Sequence, residues 1–347
     1  MKTFQIDSKF IFKKEKSGSG LKISADKKFF YLLNSGRNAI REIIDFENIE
    51  TVYLCAFNCE SVIEPFIEKN VEINFFNIDK YFNIKENFVE KLKNNGKIAI
   101  YLQNYFCNYE LDELKARLRK LENVTIIEDI THCLLDDRAF QYSDYYLGSI
   151  RKWAGTGEGG FIICDKALPP FKNNDKDIIK AIETASLMQL QYIKNRNVEL
   201  KQNYRSKLEE AEELFRYKET QIIAEESRNI INNTDFQYIK KKRIENFGYL
   251  VNKMIKIQFI ELPFMSLNDN STPLYLPFFA KYRDRLQRFL FDYDIYLPII
   301  WPKFSAIEIT DNDVNFIYDN ILCIPVDQRY DFEDMDKIVA AIEQFLI

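Results

Sequence analysis

Short apolar runs alternate with amphipathic stretches along the first half of the chain. The runs have the length and composition of buried β-strands, and they cover residues 51–56, 71–76, 98–102, 124–128, 144–148 and 160–164. Helical spacing of apolar residues is found between several of them, at 37–46, 60–69, 86–95 and 110–122. Near-continuous apolar strands that alternate with helices are typical of a parallel sheet covered on both faces. The pattern therefore predicts an α/β protein.

The pattern changes after Pro169 and Pro170. Residues 174–220 are polar with a helical period, and a further helix is predicted over 235–252. The last hundred or so residues predict a small α+β unit, with strands at 256–261, 274–279, 295–299 and 321–325 and helices at 281–292, 311–319 and 332–346. We predict an N-terminal arm (1–30), a large domain that includes the long connecting helices (31–235) and a small C-terminal domain (236–347).

The composition argues against several classes of function. The 48 basic and 53 acidic side chains are mixed along the chain, so a nucleic-acid partner has no support. The longest apolar runs, such as 295–301, are far shorter than the ~20 residues of a membrane helix, and the N-terminus has no signal-peptide core. Six cysteines without CxxC spacing and a single histidine form no recognisable metal motif. We expect a cytoplasmic protein with no metal and no membrane partner.

An acidic pair ends one of the predicted strands. Glu128 and Asp129 close the apolar run 124–128, and Thr131 and His132 follow. Ligands of open α/β sheets bind just beyond the carboxyl ends of the strands, and an acid buried there requires a partner charge or donor. Asp129 is therefore a candidate binding residue, and a helix N-cap is the structural alternative.

Lys152 follows the predicted strand 144–148 and precedes a glycine-rich turn. Five of the ten glycines fall within residues 148–160, which indicates unusual backbone geometry there. A lysine at a strand end in apolar surroundings can have a lowered pKa and act as a nucleophile or base, whereas a solvated lysine is the alternative. The run 155–160 satisfies the GxGxxG expression, but a predicted strand follows it instead of the helix that a dinucleotide site requires.

A third segment joins an apolar run to an amphipathic helix through Ser35, Gly36 and Arg37. Free backbone N–H groups, the helix dipole, a hydroxyl and a guanidinium would converge there on an anion. A plain Ser/Asn N-cap explains the segment equally well.

The three segments together contain the parts needed to hold pyridoxal 5′-phosphate (PLP). The helix N-terminus would take the phosphate, and the aspartate would keep the pyridine nitrogen protonated. The lysine would bind the aldehyde.

These segments resemble the DegT/DnrJ/EryC1/StrS family of PLP-dependent sugar aminotransferases. KWAGTGEGG (152–160) is similar to the family's motif of a lysine, four intervening residues and then GEGG. EDITHC (128–133) looks like its strand-end acidic box, and SGRNAI (35–40) stands where the family has its phosphate-binding turn. Weaker similarity covers YLCAFNCESVI (53–63), IYLPIIWP (295–302) and ILCIPVDQRYDFEDM (321–335). The resemblance implies fold type I, in which a mostly parallel seven-stranded sheet lies between helices and a small C-terminal α+β domain follows.

The resemblance also implies a role for individual residues. Lys152 would bind the cofactor covalently and move the proton, and Asp129 would pair with the ring nitrogen. His132 stands where the family has a glutamine facing the ring hydroxyl. Cys59 stands where the family has an aromatic residue stacked on the ring; Phe57 is the candidate substitute, although its spacing favours the core. The residues expected to hold the phosphate are Ser35, Gly36, Ser149 and, from its position alone, Arg37.

By the same resemblance, the reaction would move an amino group from an amino acid, with glutamate as the expected donor, to a keto sugar. The sugar would be nucleotide-linked and destined for surface polysaccharide, and the enzyme would be a homodimer with its sites at the interface. Trp301 replaces a histidine of the family, which favours as an alternative a small keto acceptor, with or without a phosphate group. A catalytically idle scaffold or regulatory protein with the same fold is the third reading.

Overall fold

A computed structural model describes residues 10–11, 16–85, 88–92, 96–107, 111–195 and 198–345. Its main feature is one seven-stranded sheet, formed by β1 (Phe29–Leu33), β2 (Thr51–Cys55), β3 (Glu72–Phe76), β4 (Ile98–Gln103), β5 (Val124–Asp129), β6 (Tyr145–Ser149) and β7 (Gly160–Cys164). The strand order is β1-β7-β6-β5-β4-β2-β3. The strands from β6 to β3 in this order are parallel, and β7 runs antiparallel to both of its neighbours. The five parallel strands therefore end at the same edge of the sheet.

Each parallel strand contributes to two hydrophobic layers, because successive side chains point to opposite faces of a sheet. Tyr101 packs on the face covered by α1 (Gly36–Glu47) and α2 (Glu60–Glu68). Its neighbour Ile100 packs on the other face, together with residues of α3 (Asp112–Leu118). Burial on both faces explains why these strands read as continuous apolar runs rather than as alternating patterns.

The long helical region contains four helices: α4 (Asp177–Asn195), α5 (Val198–Tyr217), α6 (Glu225–Asn233) and α7 (Phe236–Met254). The first two pack against each other as a helical hairpin. A small antiparallel sheet follows, formed by β8 (Ile260–Glu261), β9 (Tyr275–Ala280) and β10 (Ile321–Pro325) in the order β10-β9-β8. It is accompanied by α8 (Arg283–Phe291), α9 (Asn312–Asn320) and α10 (Phe332–Glu343) and has its own hydrophobic core.

The predicted fold class is confirmed, and the six predicted strands of the large sheet are present. Three local predictions were wrong. Residues 88–91 form a short 3-10 helix where we predicted an α-helix over 86–95, of which 86–87 and 93–95 lie outside the described residues. Residues 295–299 form no strand, and of the strand predicted over 256–261 only Ile260–Glu261 is present. In addition, β1 was not predicted, because its residues lie where the polar arm meets the next apolar run. The proposed division into an arm and two domains stays a prediction.

No helix in the described part of the chain is both long enough and apolar enough to cross a lipid bilayer.

Gly160 is expected to be essential for the close packing of β7 against the turn at Ser35. An added Cβ would overlap the Ser35 carbonyl group, so Gly160→Ala should lower the free energy of unfolding by about 1–3 kcal/mol in urea denaturation. Gly248→Ala is the matched control, because Gly248 lies inside α7 with nothing within 4 Å of the added atom. Alanine there should raise stability by about 0.5–1 kcal/mol. Equal stabilities for the two variants would contradict the close approach.

Candidate active site

A cavity of about 740 Å³ lies at the carboxyl ends of the parallel strands. Gln103, Asp129 and Ser149, the last residues of β4, β5 and β6, are all part of its wall. This is the position at which open α/β sheets bind ligands. The predicted site residues that line the cavity are Ser35, Gly36, Arg37, Cys59, Asp129, His132, Ser149 and Lys152. Their roles toward a cofactor stay predictions.

Asp129 is buried, with both carboxylate oxygens hydrogen-bonded. The Tyr101 hydroxyl donates to Oδ2 at 2.7 Å, and the backbone N–H of Thr131 donates to Oδ1 at 2.8 Å. Burial raises the pKa of Asp129, whereas these two donors and the nearby Lys152 charge lower it, and the net shift is upward. The neighbouring acid, Glu128, points to the opposite face of the sheet. There its Oε2 accepts from Nζ of the buried Lys115 at 2.7 Å, so Glu128 belongs to a structural ion pair.

Lys152 ends a short 3-10 helix (150–152) that follows β6. The next residue, Trp153, is fully buried, and its indole N–H donates to the backbone oxygen of Thr131 at 2.8 Å. Arg243 of α7 lies over the Trp153 ring, 4.5 Å from its centroid, and Gln328 donates to the Trp153 backbone oxygen. These contacts hold the backbone beside Lys152 while its side chain remains open to the cavity.

The pKa of Lys152 is lowered, mainly by desolvation of the amine within the protein and then by the positive charge of Arg151. The glycine-rich turn after Lys152 is tied to the rest of the chain by Glu158. This buried carboxylate accepts from the side chain of Asn174 and from the backbone N–H of Ala224. Burial raises the pKa of Glu158 to about 6. β7 follows the turn, so the helix required by a dinucleotide-binding motif is absent from this part of the described chain.

The N-terminus of α1 lies in the cavity wall. Ser35 is its N-cap, and the Ser35 hydroxyl accepts from the backbone N–H of Asn38 at 3.1 Å. The Arg37 side chain is 10% exposed and has an ion pair with Glu64 at 3.2 Å, but its Nε has no hydrogen-bond partner. Burial lowers the pKa of Arg37. Free N–H groups of the first helical turn and an unsatisfied guanidinium nitrogen therefore lie together, which suits an anion.

His132 is neutral in this environment. Its Nδ1 accepts from the backbone N–H of Phe106 at 3.3 Å, which assigns the ring proton to Nε2 and makes that nitrogen a donor. The ring lies 5.6 Å from that of Trp301, at an angle of 31°. Both residues line the cavity.

Cys59 and Phe57, the two candidates for a residue beside the cofactor ring, lie in different surroundings. Cys59 lines the cavity, with its Sγ 2.7 Å from the Ser61 hydroxyl. Phe57 is fully buried, packs against Tyr318 and Trp301, and does not line the cavity. We therefore do not propose a stacking role for Phe57.

Several polar residues of the cavity wall were not identified from the sequence, among them Tyr101, Gln103 and Glu212. Tyr101 and Gln103 lie two residues apart on β4, so both point to the face that carries Asp129, and Gln103 is the register partner of Asp129. The Gln103 Oε1 atom is buried without a hydrogen-bond partner in the cavity wall. A glutamine ending an otherwise apolar strand was the available signal. The third residue, Glu212, comes from α5 and gave no local signal.

Comparison by sequence finds no relative: no family model and no curated protein matches the chain. Comparison of three-dimensional structures does find similar proteins. The sugar aminotransferase CalS13 from Micromonospora echinospora superimposes with a TM-score of 0.65 at 15% identity, over 91% of this chain and 87% of CalS13. The chain has an aminotransferase fold.

Two further solved structures agree with that fold. NtdA from Bacillus subtilis, with the cofactor PMP bound, superimposes with a TM-score of 0.64 at 13% identity, over 91% of this chain and 73% of NtdA. A DegT/DnrJ/EryC1/StrS aminotransferase from Brucella abortus superimposes with a TM-score of 0.61 at 14% identity, over 91% and 85% of the two chains.

The single histidine allows a direct test of the site's burial. Burial lowers the pKa of His132 to about 3 from an ordinary 6.5, so the imidazole NMR signals of the untagged protein should not titrate near 6.5. The unfolded chain does bind a proton there, so this residue's contribution to stability is complete above 6.5 and is lost as the pH falls toward 3. His132→Gln should therefore lose less stability in acid by urea denaturation. A histidine titration midpoint near 6.5 would contradict the buried, neutral ring.

Proposed function

We propose that this chain is a PLP-dependent aminotransferase that moves an amino group from an amino acid, with glutamate as donor, to a keto sugar. The observation that carries the proposal is that one cavity collects an amine (Lys152), a buried carboxylate (Asp129) and the N-terminus of α1 with its unsatisfied arginine (Arg37). The fold shared with solved aminotransferases supports it.

The described residues fit the cofactor. A phosphate at the N-terminus of α1 would satisfy the buried Arg37 Nε, which otherwise has no hydrogen-bond partner. A protonated ring nitrogen would add a positive partner to the buried Asp129. The proposed holding residues are Ser35, Gly36, Arg37 and Ser149 for the phosphate, Asp129 for the ring nitrogen, His132 for the ring hydroxyl and Lys152 for the aldehyde, with Cys59 beside the ring.

The cofactor, when bound, supplies an electron sink for the charge that develops at the amino carbon. Lys152 would remove the proton from the donor's α-carbon and return a proton at C4′. A lowered pKa suits Lys152 to this task, because more of its amine is neutral and able to accept a proton. Tyr101 and Thr131 would keep Asp129 oriented toward the ring nitrogen. The neutral His132 would donate from Nε2.

The acceptor is proposed to be a nucleotide-linked keto sugar, with the amino sugar used in surface polysaccharide. CalS13, a sugar aminotransferase with this fold, supports the sugar; the nucleotide rests on the family resemblance. A small keto compound, with or without a phosphate group, is the second candidate. It is favoured by the large side chains of Trp301 and Phe304, from the irregular segment before α9, which lie in the cavity wall.

We also propose that the active protein is a cytoplasmic homodimer. Leu187 and Leu190 of α4 are 63% and 40% exposed in the single chain. Large apolar side chains left in water on one helix favour a partner surface. The family resemblance supplies the expectation that this partner is a second copy.

Lys152→Ala is expected to abolish covalent retention of PLP. Wild-type protein should absorb near the edge of the visible range after loading with PLP and dialysis, whereas the variant should not. Borohydride reduction of the wild type should leave the cofactor mass on the peptide that contains Lys152. Lys166→Ala, which changes a lysine paired with Glu47 outside the cavity, is the control. A wild type that takes up no PLP would overturn the enzyme proposal and favour an idle scaffold.

Arg37→Gln is expected to weaken PLP binding by about tenfold, because a charge-assisted contact to the phosphate is lost. The dissociation constant can be followed by tryptophan fluorescence, since the two tryptophans are Trp153, beside Lys152, and Trp301, in the cavity wall. Arg41→Gln is the control on the same helix, because Arg41 pairs with Glu68 away from the cavity. Equal effects of both changes would argue against a phosphate at Arg37.

A further inference from the structure

Arg151 precedes Lys152 and holds a carboxylate in the cavity wall. Its two terminal nitrogens donate to the two oxygens of Glu212 at 3.0 and 3.2 Å. The guanidinium lies over the ring of Phe215, 4.3 Å from the centroid. The arginine thus lies over an aromatic ring and offers its paired donors to one carboxylate, which is the geometry of bidentate carboxylate recognition.

The other cations of the cavity are engaged differently. In the described part of the chain, the cationic residues that line it besides Arg151 and Lys152 are Arg37 and Lys303. Arg37 lies at the N-terminus of α1 beside Glu64, and Lys303 donates to Asn315 at 2.7 Å. Arg151 alone is the chain neighbour of Lys152.

An amino-acid donor requires such a neighbour. Its carboxylate and amino group share one carbon, so an amine that reacts next to Lys152 brings its carboxylate to the same part of the cavity. A carboxylate there must meet a cation or hydrogen-bond donors, because leaving it unpaired in a partly buried site is costly.

We propose that Arg151 is the binding site for the α-carboxylate of the amino donor, and that the donor displaces Glu212 from the guanidinium. This inference rests on the proposed function and extends it to the recognition of the donor. Glu212 occupies the place of the donor carboxylate when no donor is bound. Phe215 holds the plane of the guanidinium while the partner is exchanged.

The exchange conserves charge at Arg151, since one carboxylate replaces another and the guanidinium is never left unpaired. The released Glu212 is inexpensive to hydrate, because its side chain is already 45% exposed. A second cavity of about 160 Å³ adjoins the first and is lined by the same Arg151, Lys152, Glu212 and Phe215. Glu212 therefore borders both cavities.

The test uses glutarate, a dicarboxylate without an amino group, as a calorimetric probe of the protein with and without PLP. Glu212→Gln removes the competing charge and should tighten glutarate binding by about threefold or more, whereas Arg151→Gln should weaken it by about tenfold. The Michaelis constant for L-glutamate should fall in Glu212→Gln and rise in Arg151→Gln. Glu213→Gln, an exposed neighbour on α5 whose partner is Arg216, should change neither quantity.

A purely structural role of Glu212 predicts that Glu212→Gln does not tighten glutarate binding. If the pair only anchors α5, Glu212→Gln should weaken or leave unchanged the binding of glutarate, and that result would overturn the inference even if Arg151→Gln fails to fold. If the wild type transfers amino groups but neither Glu212→Gln nor Arg151→Gln changes glutarate binding, this inference is overturned and the proposed function stands. If the protein takes up no PLP but the two substitutions still change glutarate binding as expected, the proposed function is overturned and the carboxylate site at Arg151 stands.

Discussion

Three hydrogen bonds of Thr131 connect the groups on which the site depends. Its backbone N–H donates to Asp129, its hydroxyl accepts from the backbone N–H of Ser149, and its backbone oxygen accepts from the indole of Trp153. Thr131 is thereby hydrogen-bonded to Asp129, to Ser149 at the end of β6 and to Trp153, the residue after Lys152. A buried carboxylate is costly unless donors compensate for lost water, and bonds to a charged acceptor contribute about 1.5–3 kcal/mol each.

Residues from the C-terminal third of the chain also contact this site. Arg243 lies over Trp153, and Gln328 donates to the Trp153 backbone oxygen, so the segment beside Lys152 is held by residues that are distant in sequence. Trp301 packs against Phe57 and His132 and closes part of the cavity. A displacement of Arg243, Gln328 or Trp301 would therefore change the surroundings of Lys152 or the cavity wall.

Much of the fold could be predicted because buried parallel strands leave a strong one-dimensional signal. β2 and β4 to β7 carry apolar residues on both faces, and their runs stand out against the polar helices. β1 lies beside β7 at the edge of the sheet and its residues are mostly half-exposed, so its signal is weaker. The segment 295–299 is apolar because Ile295 and Leu297 pack in the small core, not because it pairs with a strand. An apolar composition indicates that a segment is buried, but it does not by itself show that the segment pairs with a neighbouring strand.

The sequence alone determined the α/β alternation and predicted the strand-end acid, the lysine before its glycine turn and the N-terminus of α1 as candidate site elements, because each of these depends on consecutive residues. Tertiary structure decided which acid enters the cavity. Asp129 and Glu128 are adjacent, and only the alternation of the strand sends one to the cavity and the other to Lys115. It also decided that Phe57 lies in the core and that Tyr101, Glu212 and Trp301 reach the site, since contacts between distant segments depend on packing that no local pattern records.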